Sequence, residues 1–182
     1  MTVLTHAFTP GPLVTGGVVS VSLMGPIGRF SLRLREAGLG AMGAAIGLDI
    51  PTRIGARAKN GNREIICLGP DEWLLQTSAL ESAQVVAECA GIYGTISHSL
   101  TDISAREITV LIEGPAATDL LTIGCPRDID QIAIGDGCRT VVDGISVVLW
   151  RDGENRFRLD VWRSFAPHLI GLLETGSAEL SA

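Results

Sequence analysis

The chain runs twice through the same order of elements, and this order limits its fold more than any other property. In the first pass, Val18 to Met24 and Arg29 to Arg35 have the apolar, β-branched character of strands bounded by glycine and proline. Leu39, Met42, Ala45 and Ile46 stand at helical spacing between Gly38 and Gly47, which predicts a short helix closed by glycine. Glu64 to Leu68 and Trp73 to Thr77 flank the turn Gly69-Pro70-Asp71-Glu72, and a helix over Ser78 to Ala90 follows. In the second pass, a strand at Arg106 to Glu113 leads to a helix at Ala116 to Ile123 and an extended exit at Gly124 to Ile129. Strands at Thr140 to Val142 and Ser146 to Arg151 surround Asp143-Gly144, a strong hairpin signal. A last strand at Arg156 to Trp162 and a helix at Ser164 to Glu174 complete it.

Phe30 to Leu34 thus aligns with Ile108 to Ile112, and Ile65 to Leu75 with Val147 to Leu159; the helix at Ser78 aligns with that at Ser164. Each unit is too small to bury both faces of its own elements, so the expectation is an α+β fold of two similar strand-helix-hairpin-helix units packed on one another. The predicted domain covers 18–176, with repeats at about 18–92 and 103–176, an N-terminal extension at 1–17 and a C-terminal tail at 177–182.

Composition excludes several classes. A net charge of −6, with no run of basic residues, argues against nucleic-acid binding. The longest apolar runs are broken by Gly, Ser or Arg before they reach a membrane span, and Met1 to Thr9 has neither a basic start nor an apolar stretch of a signal peptide. A cytoplasmic location is the resulting expectation. Cys67, Cys89, Cys125 and Cys138 form no CxxC pair and have no histidine at ligand spacing, so they read as small interior thiols. The mean hydropathy of +0.35 is high for a chain of this size and suggests buried surface beyond the chain's own core.

Motifs for chemistry fail one by one. Gly38-Leu39-Gly40-Ala41-Met42-Gly43 matches GxGxxG in form, but Asp49 follows too soon for a ribose carboxylate, and small residues that let a helix pack closely explain the run. His6, His98 and His168 offer no metal-binding spacing. Ser97-His98-Ser99-Leu100-Thr101-Asp102 gathers triad residue types, yet neighbours along a strand point in different directions. Asp49, Asp71, Glu72, Asp128, Asp130 and Asp136 read as solvated turn carboxylates. No catalytic, cofactor-binding or metal-binding residue is predicted.

The aromatic residues are few and their placement is informative. Trp73, Trp150 and Trp162 lie in or at the end of hairpin strands beside charged or turn residues, and Trp162-Arg163-Ser164-Phe165 forms the corner into the last helix. Trp and Arg are enriched in the dehydrated centres of protein interfaces. Trp73, Trp150, Trp162, Arg163 and Phe165 are therefore the interface candidates.

Gly69-Pro70-Asp71-Glu72-Trp73-Leu74-Leu75, Gly124-Cys125-Pro126-Arg127-Asp128-Ile129-Asp130, Val148-Leu149-Trp150-Arg151 and Val161-Trp162-Arg163-Ser164-Phe165-Ala166-Pro167 carry a family likeness in order and spacing. From about Gly25 to Glu174, the chain resembles the gamma subunit of heterotetrameric sarcosine oxidase. The resemblance implies a fold related to the folate-binding aminomethyltransferase, the T-protein of the glycine cleavage system. It also implies an alpha subunit with NAD and folate sites, a beta subunit with FAD, a covalent FMN between them and a zinc-binding delta subunit, with no cofactor on this chain. The assembly would oxidise sarcosine to glycine, hydrogen peroxide and formaldehyde or methylenetetrahydrofolate. A non-catalytic structural subunit is the leading expectation; a stand-alone folate-binding protein or aminomethyltransferase-like enzyme is the alternative.

Overall fold

Two antiparallel sheets face each other, and helices cover their outer surfaces, in a computed structural model that describes residues 8–181. The strands are β1 (Gly11–Val14), β2 (Ser20–Leu23), β3 (Ile27–Leu34), β4 (Arg57–Asn60), β5 (Arg63–Gly69) and β6 (Glu72–Ser78). They continue with β7 (His98–Asp102), β8 (Glu107–Glu113), β9 (Gly137–Val142), β10 (Ile145–Gly153) and β11 (Arg156–Trp162). The helices are α1 (Leu39–Ile46), α2 (Ser82–Ile92), α3 (Ala117–Thr122) and α4 (Ala166–Leu180). None of them is long and apolar enough to cross a membrane.

One sheet has the order β4-β5-β6-β3-β7 and the other β1-β2-β8-β11-β10-β9. Taking β3 with β8, β4 with β9, β5 with β10 and β6 with β11, the two orders are the same, which is the expected duplication. One exchange lies outside the sequence pattern. β2 precedes β3 in the chain but pairs with β8, Ser20 opposite Glu113 through Leu23 opposite Val110. β7 precedes β8 but pairs with β3, Phe30 opposite Asp102 through Leu34 opposite His98. Each half therefore lends its leading strand to the other, and the first repeat is not the continuous block expected over 18–92.

Alternation along the strands sorts the side chains into layers. Phe30, Leu32, Leu34, Ile65, Cys67, Trp73 and Leu75 face outward onto Met42, Ile46, Val85 and Cys89 of α1 and α2. Val110, Ile112, Leu149, Phe157, Leu159 and Val161 do the same against Leu120, Leu121, Leu169 and Leu173 of α3 and α4. Each such side chain, fully buried, contributes about 1.5–3 kcal/mol. Between the sheets Ile66, Leu74, Ile103, Val148 and Trp150 form a small apolar patch, and much of the rest of that layer is charged or polar.

Local signals hold at the turns. Asp143 and Gly144 both have positive φ, 47° and 76°, as a two-residue hairpin turn of the mirror type requires. Gly55, at φ 89°, brings its carbonyl to the amide of Gly137 at 3.0 Å, tying the ends of the two sheets together. A Cβ at Gly55 would stand 2.7 Å from the Gly137 carbonyl oxygen, so only glycine fits.

Both predicted ends differ from the structure. Within the expected N-terminal extension, Gly11 to Val14 forms β1 and adds to the six-stranded sheet, with Leu13 and Val14 against the core; residues 1–7 lie outside the described residues. The expected tail instead continues α4 as far as Leu180. There Ser177 is buried and its hydroxyl donates to the carbonyl of Leu173 at 2.6 Å, which removes the usual cost of a buried serine in a helix; Ala182 lies outside the described residues.

Candidate functional site

The charged layer between the sheets begins at Asp160 of β11, which is buried beside equally buried Arg29 of β3. Its Oδ1 accepts from Thr109 at 2.5 Å and from Arg29 Nη2 at 3.4 Å; its Oδ2 accepts from Gln76 at 2.5 Å and from the Trp150 indole at 2.7 Å. Arg29 also donates to the Thr109 hydroxyl and, at 3.2 Å, to the Glu107 carbonyl. A carboxylate held by four donors is fully engaged, and the arrangement joins both sheets through one residue. Gln76 and Asp160 occupy matching positions of the two repeats, so this bond lies near the axis relating them.

Toward one end of the layer, two guanidinium groups pack against the Trp150 ring, Arg57 at 5.0 Å and Arg158 at 4.8 Å from its centroid. Arg158 donates to Glu64 at 2.8 Å and to Asp152 at 2.5 Å, and Arg57 donates to Asp152 at 2.7 Å and also to Glu64. Burial pushes the Asp152 carboxyl up, but the hydrogen bonds and charges of Arg158 and Arg57 outweigh it and hold the group below its ordinary range. Burial likewise works to lower Arg158, and Asp152 with Glu64 raises it instead. This end is sealed by its own ion pairs.

The opposite end opens. A cleft of about 310 Å³ is bordered by Arg33, Glu72, Arg106, Glu107, Arg139 and Trp162. Glu72 is held low by the hydrogen bond from Arg139, against a smaller effect of burial, with the charges of Arg139 and Arg33 adding to it. Glu107 behaves in the opposite way. Burial raises its carboxyl despite the Arg106 hydrogen bond at 2.8 Å, and its second oxygen is buried without a partner. Glu107 also lines a cavity of about 230 Å³ together with Arg29, Ser104 and Thr109, and the Arg29 Nε is likewise buried without a partner.

Beyond Glu107 lies the strand-to-helix corner. Trp162 and Phe165 are 45 % and 48 % exposed, with ring centroids 6.3 Å apart. Arg106 stacks on Trp162 at 4.8 Å and exposed Arg163 lies over Phe8 at 5.0 Å. Helix α4 begins behind them with Pro167 in its first turn, where a missing N–H costs nothing.

Three of the five interface candidates are thus gathered at one surface corner. The other two are corrected. Trp73 is 1 % exposed, packed in the outward core, and its indole donates to the Pro51 carbonyl at 2.7 Å. Trp150 is fully buried by the facing sheet. Their strand-end positions look alike in sequence, but period-two alternation turns Trp73 toward the helices and Trp150 toward the other sheet. The triad-like run does not assemble: His98 Nδ1 lies 2.8 Å from the Ile96 carbonyl, and Asp102 accepts from Ser104. All four cysteines are buried and unpaired, and burial raises Cys89 to about 11. Among the described residues, no group of three His, Cys, Asp or Glu is disposed to hold a metal. Sequence reasoning missed Asp160 and Glu107. The available signal was a charged or hydroxyl residue at every second position of two otherwise apolar strands, Glu107 and Thr109 in β8 and Arg158 and Asp160 in β11.

The gamma subunit of sarcosine oxidase from Corynebacterium sp. (strain U-96) is 32 % identical over 150 residues, covering 81 % of this chain and 72 % of that one. The solved structure of heterotetrameric sarcosine oxidase from Corynebacterium sp. U-96, in complex with pyrrole 2-carboxylate, superposes with a TM-score of 0.84. It is 29 % identical and covers 93 % of this chain and 89 % of that one. The glycine cleavage system aminomethyltransferase T from Bartonella henselae shares the fold, with a TM-score of 0.63 at 15 % identity over 81 % of this chain and 43 % of that one. Since the model of the sarcosine oxidase, gamma subunit family also matches residues 35–179, the chain belongs to that family.

Proposed function

We propose that this chain is a non-catalytic, structural subunit of a heterotetrameric sarcosine oxidase and that it docks on its partners through the corner of Trp162, Arg163 and Phe165. The observation that supports this reading most is the contrast within the charged layer. Asp160 spends its hydrogen bonds on Thr109, Arg29, Gln76 and Trp150, and Arg158, Glu64 and Asp152 spend theirs on one another, whereas Trp162 and Phe165 leave nearly half their surface exposed beside Arg106 and Arg163. Large aromatic rings next to arginines are the side chains that anchor protein interfaces. In this reading the partners are alpha, beta and delta subunits. FAD, FMN, NAD, tetrahydrofolate and zinc belong to them, and sarcosine is oxidised to glycine, hydrogen peroxide and formaldehyde or methylenetetrahydrofolate on their surfaces. Co-expression with those subunits should give one complex that contains this chain and shows a flavin spectrum. A stable monomer with no affinity for the other subunits would refute the proposal.

A second reading rests on Glu107. Its side chain lines the 230 Å³ cavity and its buried second oxygen has no partner within the fold, which favours a chain that binds folate by itself. Calorimetry of the isolated chain with tetrahydrofolate separates the two, because one-site binding abolished by Glu107→Ala is expected only from the second.

A further inference from the structure

The two repeats differ at one outer edge. In the six-stranded sheet, β2 carries β1 on its far side, Gly11 opposite Leu23 and Val14 opposite Val21. β1 lies against α4 and fills the space beside that helix with Leu13 and Val14. The matching strand in the five-stranded sheet is β7, which pairs with β3 as β2 pairs with β8. Among the described residues no strand lies on the far side of β7. Beside it, between β7 and α2, runs an apolar groove of about 480 Å³ lined by Phe30, Val86, Ala90, Tyr93 and Leu100, with Tyr93 63 % and Val86 45 % exposed.

Resting on the subunit reading above, we infer that this edge is a strand-docking site, and that an extended, apolar segment of a partner subunit pairs antiparallel with β7 and fills the groove as β1 does in the other half. An unpaired strand edge presents main-chain donors and acceptors to an incoming chain, and the neighbouring pocket selects its side chains. β1 displays the occupant's character: four residues, adjacent aliphatic side chains and no charge. The groove has acidic Asp102 at one end and the stacked Tyr93–His98 pair, 5.2 Å between centroids, near the other. A basic residue flanking the segment matches Asp102. A second copy of this chain is poorly suited, because the face of β7 that it would bring to the groove carries His98 and Asp102 around a single leucine.

Hydrogen exchange of the assembled complex and of the isolated full chain tests the assignment. The amides within 98–102 that point away from β3 should exchange at least about tenfold more slowly in the complex. Ala90→Arg, a change at an exposed position of α2, should abolish that protection and weaken assembly about tenfold or more without lowering the chain's own stability. If the complex forms while 98–102 exchange as in the free chain, the inference fails and the subunit reading stands. If no complex forms at all, both fail. Protection that appears in the isolated chain as its concentration rises would assign the edge to a second copy and overturn the partner assignment.

Discussion

Trp150 and Trp162 stand on the same face of the same sheet, both stacked on arginine, yet one is sealed and the other is nearly half exposed. The residues beside them account for the difference. Trp150 lies under the facing sheet, where Gln76 and Glu64, together with Asp152 of its own strand, satisfy its indole's acceptor and its flanking cations. Trp162 ends its strand at the mouth of the cleft, where the facing sheet contributes Ser31, Arg33 and Glu72 and leaves one side of the ring uncovered. The same pair of residue types acts as internal glue in one place and as available surface in the other, and the facing layer decides which.

The comparison can be broken most forcefully at its sealed end. Trp150→Ala should destabilise the chain by about 3–5 kcal/mol through the cavity it leaves. Asp160→Ala should cost a similar amount, about 3–5 kcal/mol, because Arg29 would remain buried without its counter-charge. Urea unfolding of the isolated chain measures both, and a loss below about 1 kcal/mol would show that the layer is not closed. At the open end the expectation reverses. Trp162→Ala combined with Arg163→Ala should leave unfolding within about 0.5 kcal/mol of the parent while weakening assembly by about 2 kcal/mol or more, roughly thirtyfold. Loss of the fold would make the corner an internal one.

Between the two ends, pH gives smaller effects of opposite sign. Glu107 has a raised carboxyl in the fold, so ionising it opposes folding; that penalty is absent in acid and appears as pH rises above the ordinary carboxylate range. Glu107→Gln should therefore stabilise the chain at neutral pH by about 1 kcal/mol and make no difference near pH 3. Asp152 and Glu72 are held low instead. Their contribution is present at neutral pH and is lost as pH falls below about 4 and through their lowered folded-state values. Unfolding curves at pH 3, 5 and 8 distinguish the two patterns. The smallest effect is expected at the surface pair of Arg156 and Glu113, where Arg156→Ala should change stability by less than about 0.5 kcal/mol, measured in the same way.

Much of this architecture is legible in sequence where apolar alternation is strong. β3, β5, β6, β8, β10 and β11 each match a segment of apolar or β-branched residues, and Arg156 to Trp162 agrees end to end. The strands that escape are edges. Gly-Pro-Leu-Val, Arg-Ala-Lys-Asn and His-Ser-Leu-Thr-Asp are short and mostly lack alternation, because a strand covered on one side needs few apolar residues. The exchange of β2 and β7 is invisible for another reason: periodicity reports which face of a strand is buried but not which strand lies beside it. The same blindness put Trp73 and Trp150 on an interface and hid Asp160, whose partners come from four other strands.

The exchanged strands also place a clock on the chain's synthesis. Ser20 of β2 emerges early, but Glu113 opposite it is 93 positions further on. At about 5–20 residues per second, β2 waits roughly 5–20 seconds for its neighbour, with Val21 and Leu23 uncovered throughout. β3 and β6 can pair sooner, although their sheet stays incomplete until β7 appears. No cut through the middle of the chain leaves a self-contained half, so expressing 18–92 and 103–176 as separate pieces should yield two aggregating fragments unless they meet each other first.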